Sequence, residues 1–246
     1  LPVRHREVLS DRLIGVYLID NFAGSGMADW ILGPNDEIYA VLTLHPRVFS
    51  MSAAELIAFR ANTAFVDHDP DLELVIDIST EVSALAYIVL HESTHSVDYV
   101  ERHTPYVEPS MFELLGPTIR STRFTDACWN GYRELGEETI LPRQDQLEFY
   151  RLGKGPTLTD ADLAEVYAAL SRTPFASLYA STNWAEDFAE YVTFYYLVRG
   201  RGAHYSISVR KQDDVLFEYE PMSKPEVTER AGYLDPDLFE LSVGSQ

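Results

Sequence analysis

The chain has 246 residues, of which 39 are acidic and 19 are Lys or Arg, so its formal net charge is −20 at pH 7. Nucleic-acid binders neutralise phosphates with Lys and Arg, so this charge excludes nucleic acid as the expected partner. The 46% of hydrophobic residues supply enough apolar surface for a packed core, and the single cysteine, Cys128, excludes an intrachain disulfide. No run of about 18 apolar residues occurs, so no membrane span is predicted.

Strands and turns dominate the predicted first third of the chain. Residues 13–20 form a β-branched and aromatic run, and the turn at residues 33–36 joins two apolar segments into a hairpin, 30–32 and 38–44. Ser52, with Glu55 three residues later, has the capping-box pattern and predicts a helix to about Phe65. A short buried strand is predicted at residues 74–78.

A long helix follows, and the rest of the chain mixes helices with a hairpin. Ser79 or Thr80 is the predicted N-cap of the long helix, which runs without Gly or Pro to His103. The later predicted elements are a short helix at 126–133, a helix at 159–170 capped by Thr159 and Asp162, a helix at 183–198, and a hairpin at 205–209 and 215–219. Together the elements predict an α+β fold with a small sheet.

The long helix carries the motif that points to chemistry. His91-Glu92-Ser93-Thr94-His95 has the pattern H-E-x-x-H, which this composition would produce by chance about 0.02 times. Residues four apart on a helix differ by about 40° around its axis, so both imidazoles can bind one metal ion. Glu92 is turned by about 100° and can take a proton from a metal-bound water, which is the chemistry of a hydrolytic zinc site.

A zinc site of this kind needs a third protein ligand. Asp98 and Glu101 follow the motif, but without a glycine to break the helix Glu101 lies about 9 Å beyond His95 and cannot reach the same ion. The later helix carries Glu186 and Glu190 one turn apart among aromatic residues. A carboxylate on such an apolar helix needs a partner, and a metal ion is one. The alternative is that both glutamates simply form the polar face of that helix.

The two blocks, residues 91–98 and 179–190, together resemble the catalytic domain of the anthrax-lethal-factor-like gluzincin metallopeptidases. That family has an H-E-x-x-H-x-x-D helix and a later E-x-F-A-E helix, with a tyrosine seven residues before its first glutamate; this sequence has the same pattern. The resemblance implies a zincin-like α+β fold in which a small mixed sheet packs beside the active-site helix. It also implies one zinc ion and hydrolysis of a peptide or protein substrate.

The resemblance assigns roles by position in this sequence. Three side chains are implied as zinc ligands: His91, His95 and Glu186. Glu92 is the implied general base, and Tyr179 is implied to stabilise the oxyanion or assist the leaving amine. Glu190 is implied to orient a ligand histidine from behind the metal, and Asp98 to have a structural or similar supporting role.

The domain organisation is predicted from the distance between the two blocks, and the cellular compartment from the first residues of the chain. One catalytic domain covering residues 1–246 is predicted. His95 and Glu186 are about 90 positions apart, longer than expected for the family, so residues 104–178 are predicted to be an insertion that shapes or caps the cleft. The chain begins at Leu1 with neither Met nor an apolar signal segment, so we expect a secreted or otherwise extracytoplasmic protein that has lost an N-terminal segment.

Other functions and sites remain as alternatives. A catalytically inactive zinc-binding or peptide-binding protein could use the same scaffold, and in a purely structural acidic domain the two motif histidines would be packing residues. Residues 67–71 carry alternating carboxylates, but Leu72 and Ile78 stand where a calcium loop needs Gly and Glu. Residues 38–44 could form an edge strand that pairs with an extended peptide, although an ordinary sheet strand is the simpler interpretation.

Overall fold

One long helix, Ala84–Glu101, lies at the centre of the computed structural model, which describes residues 1–66, 69–79, 81–105, 120–151, 153 and 155–240. This motif helix carries the H-E-x-x-H sequence. Three other helices pack against it: Val3–Arg12, Ala53–Asn62 and Trp184–Tyr195. The last of these contains Glu186 and Glu190 and is named the glutamate helix. Shorter helices lie at Arg123–Asp126, Leu163–Leu170 and Pro225–Thr228.

A three-stranded mixed sheet packs beside the motif helix, as predicted. Its strands are β1 (Leu13–Leu18), β2 (Gly26–Leu32) and β3 (Ile38–Leu44), in the order β1-β3-β2. The β2–β3 hairpin is antiparallel, which confirms the predicted turn, and β1 pairs with β3 in parallel. Because β3 is the central strand, the alternative of an edge strand at residues 38–44 is wrong. The edge strand that contacts the motif helix is β2.

The second sheet supports the opposite part of the core. Strands β5 (Leu72–Ile78), β7 (Tyr205–Lys211) and β8 (Asp214–Tyr219) are antiparallel in the order β5-β7-β8, which confirms the predicted C-terminal hairpin. The short strands β4 (Phe65–Val66) and β6 (Leu158–Thr159) form a separate parallel pair. The described residues therefore form an α+β fold with small sheets.

The ends of the motif helix differ from the prediction. The N-cap is Ser83, whose hydroxyl accepts the backbone N–H of Ala86 at 3.1 Å, so the predicted caps at Ser79 or Thr80 are wrong; Thr80 itself lies outside the described residues. At the other end, Arg102 takes a left-handed conformation with φ 60°. A helix usually needs glycine for that turn. Here the Asp98 carboxylate holds Thr104, two residues after Arg102, through the backbone N–H and the hydroxyl of Thr104.

Other boundaries shift by a few residues for local reasons. The capping box at Ser52 is confirmed, but its helix ends at Asn62 because the chain enters β4. The box of Thr159 and Asp162 is confirmed before the helix Leu163–Leu170. The predicted helix at 126–133 is wrong, since only Arg123–Asp126 is helical there. The sequence prediction also missed the helix Val3–Arg12, whose buried residues are only His5 and Val8.

Residues 104–178, predicted as an insertion, contribute to the core where the structure describes them; residues 106–119 lie outside the described part. Several of their large side chains are buried: Phe124, Trp129, Leu158, Tyr167 and Phe175. The described part of the segment therefore belongs to the hydrophobic core of the fold. In the described ranges no helix is both long and apolar enough to cross a membrane.

A buried ion pair fixes the glutamate helix next to the site. Arg230 donates from Nη1 to Asp187 Oδ1 at 2.9 Å and from Nη2 to Oδ2 at 2.6 Å, and Trp129 Nε1 donates to the same carboxylate at 2.9 Å. Both ions are almost fully buried. A paired geometry of this kind compensates the loss of hydration that an unpaired buried charge would suffer.

Removal of one partner should therefore be strongly destabilising. We expect Arg230→Met to lower the free energy of unfolding by about 3–5 kcal/mol, because the Asp187 carboxylate stays buried without its counter-ion. Urea denaturation followed by circular dichroism measures the loss. The double variant Asp187→Leu, Arg230→Met removes both charges and should lose less than the single variant. A single variant within about 0.5 kcal/mol of the parent would contradict this role.

Candidate metal centre

Two helices bring three metal-ligating side chains together. His91 and His95 lie one turn apart on the motif helix, and Glu186 lies in the first turn of the glutamate helix, whose N-cap Asn183 accepts its backbone N–H at 3.0 Å. Glu186 Oε2 is 3.2 Å from His91 Nε2 and 3.4 Å from His95 Nε2. One ligand atom from each residue lies within 4.8 Å of the others. The structure thus places the three predicted ligands around one point.

The contacts of these atoms fit a cation. Glu186 Oε2 is buried, yet it has no hydrogen-bond partner among the described residues, because the imidazole nitrogens approach it without hydrogen-bond geometry. A buried carboxylate oxygen left in this state is costly unless a positive charge compensates it. Two imidazole nitrogens and one carboxylate oxygen are the donor set of three-ligand zinc sites, whereas calcium and magnesium prefer oxygen alone. The residues present therefore fit zinc.

Glu190 lies directly behind the first histidine. Its Oε1 is 2.8 Å from His91 Nδ1, the ring nitrogen that faces away from Glu186. Three further groups contact the same carboxylate: Arg60 Nη2 at 2.6 Å, Ser177 Oγ at 2.5 Å and the hydroxyl of Tyr87. An imidazole held in this way presents Nε2 to a metal in a fixed orientation. The five side chains are referred to as the Glu190 network.

The charges of the site are strongly coupled. Burial opposes a charge on His91, yet its contacts with Glu186 and Glu190 outweigh burial and raise the pKa of His91 to about 10. Burial likewise opposes ionisation of Glu190, but Arg60 and His91 lower the pKa of Glu190 to about 2. The two histidines keep the pKa of Glu186 well below its usual range despite its burial. The carboxylates around His91 thus favour a positive charge at this point.

Glu92 and Tyr179 both face the cleft beside the three ligand side chains. The cleft has a volume of about 340 Å³ and is lined by the three ligands, by Glu92 and Tyr179, and by β2. Burial raises the pKa of Glu92, against the opposing effect of both histidines. The Tyr179 hydroxyl donates to Glu186 Oε1 at 3.2 Å. The structure therefore brings the predicted base and the predicted tyrosine to the same cleft as the ligands.

Asp98, like Glu190, is a predicted site residue that does not line the cleft. Its Oδ1 accepts the backbone N–H of Thr104 at 2.7 Å, and its Oδ2 accepts the Thr104 hydroxyl at 2.6 Å. These bonds hold the chain just after the motif helix, which ends at Glu101. The side chain thus has structural contacts of the kind that the sequence allowed for.

Arg60 and Tyr150 belong to the site, and the sequence prediction missed both. The Arg60 guanidinium lies 4.1 Å from the centre of the Tyr179 ring, in addition to its contact with Glu190. Tyr150 lines the cleft, and its ring centre is 6.4 Å from that of Tyr179. Of the two, only Arg60 is marked by a local pattern in the sequence. It lies on the buried face of its helix with Leu56 and Ile57, where a charged side chain needs a partner.

The structure describes only part of residues 67–71, the segment with alternating carboxylates that lacks the residues of a calcium loop. Residues 67 and 68 lie outside the described ranges. Asp69 donates its backbone N–H to Asp160 Oδ2 at 2.6 Å, so part of the segment is held by a residue 91 positions later in the chain. Within the described ranges, His91, His95 and Glu186 form the one group of three side chains close enough to share a metal ion.

Comparison with protein families, with curated proteins and with solved structures finds no match to this chain. The resemblance to gluzincin metallopeptidases therefore stays a prediction that rests on the motif residues and on their placement in the structure.

The protonated state of His91 predicts that metal binding releases a proton. At pH 8 the ring is protonated in the metal-free protein, because its pKa is raised to about 10, and a metal must displace that proton. We expect about one proton released per zinc ion, and an affinity that rises with pH until the pKa is passed. Isothermal titration calorimetry in buffers of different ionisation enthalpy measures this number. A binding enthalpy independent of the buffer would show that His91 binds no proton.

Proposed function

We propose that this protein is a zinc-dependent metallopeptidase with a zincin-like catalytic domain. The observation that carries the proposal is the convergence of His91, His95 and Glu186 on one point, with a buried Glu186 oxygen that lacks a hydrogen-bond partner. Glu92 and Tyr179 line the same cleft. Ligands, a base and a hydroxyl donor in one cleft form the set that hydrolysis of a peptide bond requires.

His91, His95 and Glu186 would hold the zinc ion. When bound, zinc supplies a Lewis acid that polarises a carbonyl and lowers the pKa of water. Glu92 is the general base: its carboxylate accepts a proton from the attacking water and transfers it to the nitrogen of the leaving amine. Burial raises the pKa of this carboxylate, which brings it closer to the pH at which a base both accepts and returns a proton.

Tyr179 is placed to donate a hydrogen bond to the substrate. Burial, with Glu186 beside it, raises the pKa of Tyr179 well above its usual value, so the hydroxyl keeps its proton at neutral pH. Its Oη already donates at the site, to Glu186 Oε1 at 3.2 Å. A fixed donor in a buried cleft stabilises the negative charge that develops on the carbonyl oxygen. Arg60 supports the Tyr179 ring from its other face.

The edge strand β2 gives the cleft a means to bind an extended peptide. Gly26, Met27 and Ala28 line the cleft, and β2 is an edge strand of its sheet. An edge strand has free backbone donors and acceptors, with which a substrate in extended conformation can pair. Such pairing holds the main chain of the substrate without selecting its side chains.

The first test is a substitution of the proposed base. Glu92→Gln keeps the shape of the side chain but cannot accept a proton, so we expect kcat/KM on a peptide library to fall by about 10²–10⁴-fold. The zinc content, measured by mass spectrometry of the purified protein, should stay at one ion. Glu218→Gln, on the exposed strand β8, removes the same charge away from the site and should leave both quantities unchanged.

The outcomes separate the proposal from its alternatives. If the parent protein binds zinc but cleaves no peptide, the alternative of a catalytically inactive zinc-binding or peptide-binding protein is correct. If neither the parent nor a zinc-supplemented sample binds the metal, the histidines are packing residues. If Glu186→Ala binds zinc as tightly as the parent, the ligand assignment is wrong.

Gly26 provides a second test, because it leaves room for the base. A Cβ at this position would lie 2.6 Å from Glu92 Oε1 and 2.7 Å from Ile88 Cγ1, closer than atoms approach, so Gly26→Ala must displace the carboxylate. We expect kcat/KM to fall at least about tenfold, since small displacements of a base are costly, while zinc content is unchanged. Gly15→Ala is the matched control on the same sheet, where a Cβ meets only Tyr17 at 3.6 Å. Equal activity of both variants would contradict the assignment of Glu92.

A further inference from the structure

A second cavity adjoins the catalytic cleft. It has a volume of about 520 Å³, and three of its lining residues, Phe22, Ala23 and Tyr150, also line the cleft. Tyr150 is thus part of the wall of both spaces. The centre of its ring is 6.4 Å from that of the Tyr179 ring. A peptide that lies in the cleft can therefore extend a side chain past Tyr150 into this cavity.

The cavity concentrates positive charge in a strongly acidic protein. Arg47, Arg151 and His45 line it, and the described lining contains no Asp or Glu. The chain as a whole has a net charge of −20. In the described part of the structure, neither arginine forms an ion pair with a carboxylate: Arg47 instead lies 4.7 Å above the centre of the Phe59 ring. Both arginines thus line this cavity without an ion pair to a described carboxylate.

The donors of this cavity are fixed by the backbone around them. His45 Nδ1 accepts the backbone N–H of Arg47 at 3.0 Å, so a neutral His45 ring carries its proton on Nε2 and is a donor there. The nearest carboxylate oxygen to that nitrogen belongs to the exposed Asp20, at 3.9 Å. The two arginines and His45 therefore supply this cavity with hydrogen-bond donors, which is the chemistry of an anion site.

The backbone that presents Arg151 is strained. Tyr150 and Arg151 both have φ of 57°, a left-handed conformation that non-glycine residues rarely adopt. The Tyr150 N–H donates to Thr63 Oγ1 at 2.8 Å, which holds this turn in place. Two such residues in succession direct Tyr150 to the cleft and Arg151 to the adjoining cavity. Conformations of this cost persist mainly where a site needs them.

We infer that this cavity is a specificity subsite for an acidic side chain, Asp or Glu, of the peptide substrate. The inference deepens the proposed peptidase function and rests on it. Arg47 and Arg151 bind the carboxylate of a residue on one side of the scissile bond, while β2 and the metal-ligand side chains hold the main chain. Because the acidic surface repels acidic peptides at long range, the preference arises at short range, from the two arginines.

Matched peptides test the subsite. Fluorogenic peptides that differ only by Glu, Gln or Lys at each position around the scissile bond are compared with the parent protein. We expect kcat/KM for Glu to exceed that for Gln on the order of tenfold, at one position and on one side only. High salt should weaken this preference, since the pair is partly exposed to solvent.

Substitutions assign the preference to the arginines. The double variant Arg47→Met, Arg151→Met should cleave Glu and Gln peptides equally, so the ratio of the two kcat/KM values measures the contribution of the arginines. Arg47→Glu, Arg151→Glu should favour the Lys peptide. Arg6→Met, on the exposed surface of the N-terminal helix, is the control and should keep the parent preference. Melting temperatures confirm that each variant is folded.

A binding measurement separates this inference from the proposed function. Fluorescence anisotropy of labelled Glu and Gln peptides with the Glu92→Gln variant reports the subsite without turnover. If the Glu peptide binds more tightly than the Gln peptide, and the double arginine variant loses this difference, the subsite is supported. That result would stand even if the parent protein cleaved no peptide, because the absence of cleavage refutes only the proposed peptidase activity. Equal binding of both peptides at every position, or a preference that survives in the double variant, overturns the subsite.

Discussion

The site depends on one buried carboxylate. Glu190 is fully buried within the glutamate helix, and an ionised carboxylate in that position without partners would cost several kcal/mol. Four side chains compensate it: Arg60, Tyr87, Ser177 and His91. They come from the helix Ala53–Asn62, from the motif helix and from the segment before the glutamate helix. These helices must therefore pack in this arrangement for the charge of Glu190 to be neutralised.

The same carboxylate connects the metal ligands to the proposed oxyanion donor. Glu190 faces Nδ1 of His91, so the other ring nitrogen, Nε2, points to Glu186 and the proposed metal position. Arg60, which balances Glu190, lies 4.1 Å from the centre of the Tyr179 ring, and Tyr179 in turn donates to Glu186. A change at any of these groups alters the environment of a ligand and of the tyrosine together. Rigid support of this kind is what a preorganised site needs.

Local patterns in the sequence were sufficient for those parts of the site that lie on one helix. His91 and His95, and likewise Glu186 and Glu190, are one turn apart, so helical geometry alone places each pair on one face. Arg60 was missed because its partner Glu190 is 130 positions away, and no local pattern reports a contact over that separation. The helix Val3–Arg12 was missed for a related reason: its buried His5 is accommodated by Thr94 of the motif helix, at 2.9 Å, and not by an apolar stripe of its own.

The distribution of the arginines supports the subsite proposed for an acidic side chain. Two buried arginines, Arg60 and Arg230, balance the buried carboxylates of the glutamate helix and hold it in place. Arg47 and Arg151 form no ion pair of this kind in the described part of the chain, and both line the cavity beside the cleft. Other arginines of this acidic chain do pair with carboxylates, as Arg4 does with Glu7 and Arg12 with Glu37. Arginines that stay unpaired amid so many acids leave their hydrogen-bond donors available to a ligand.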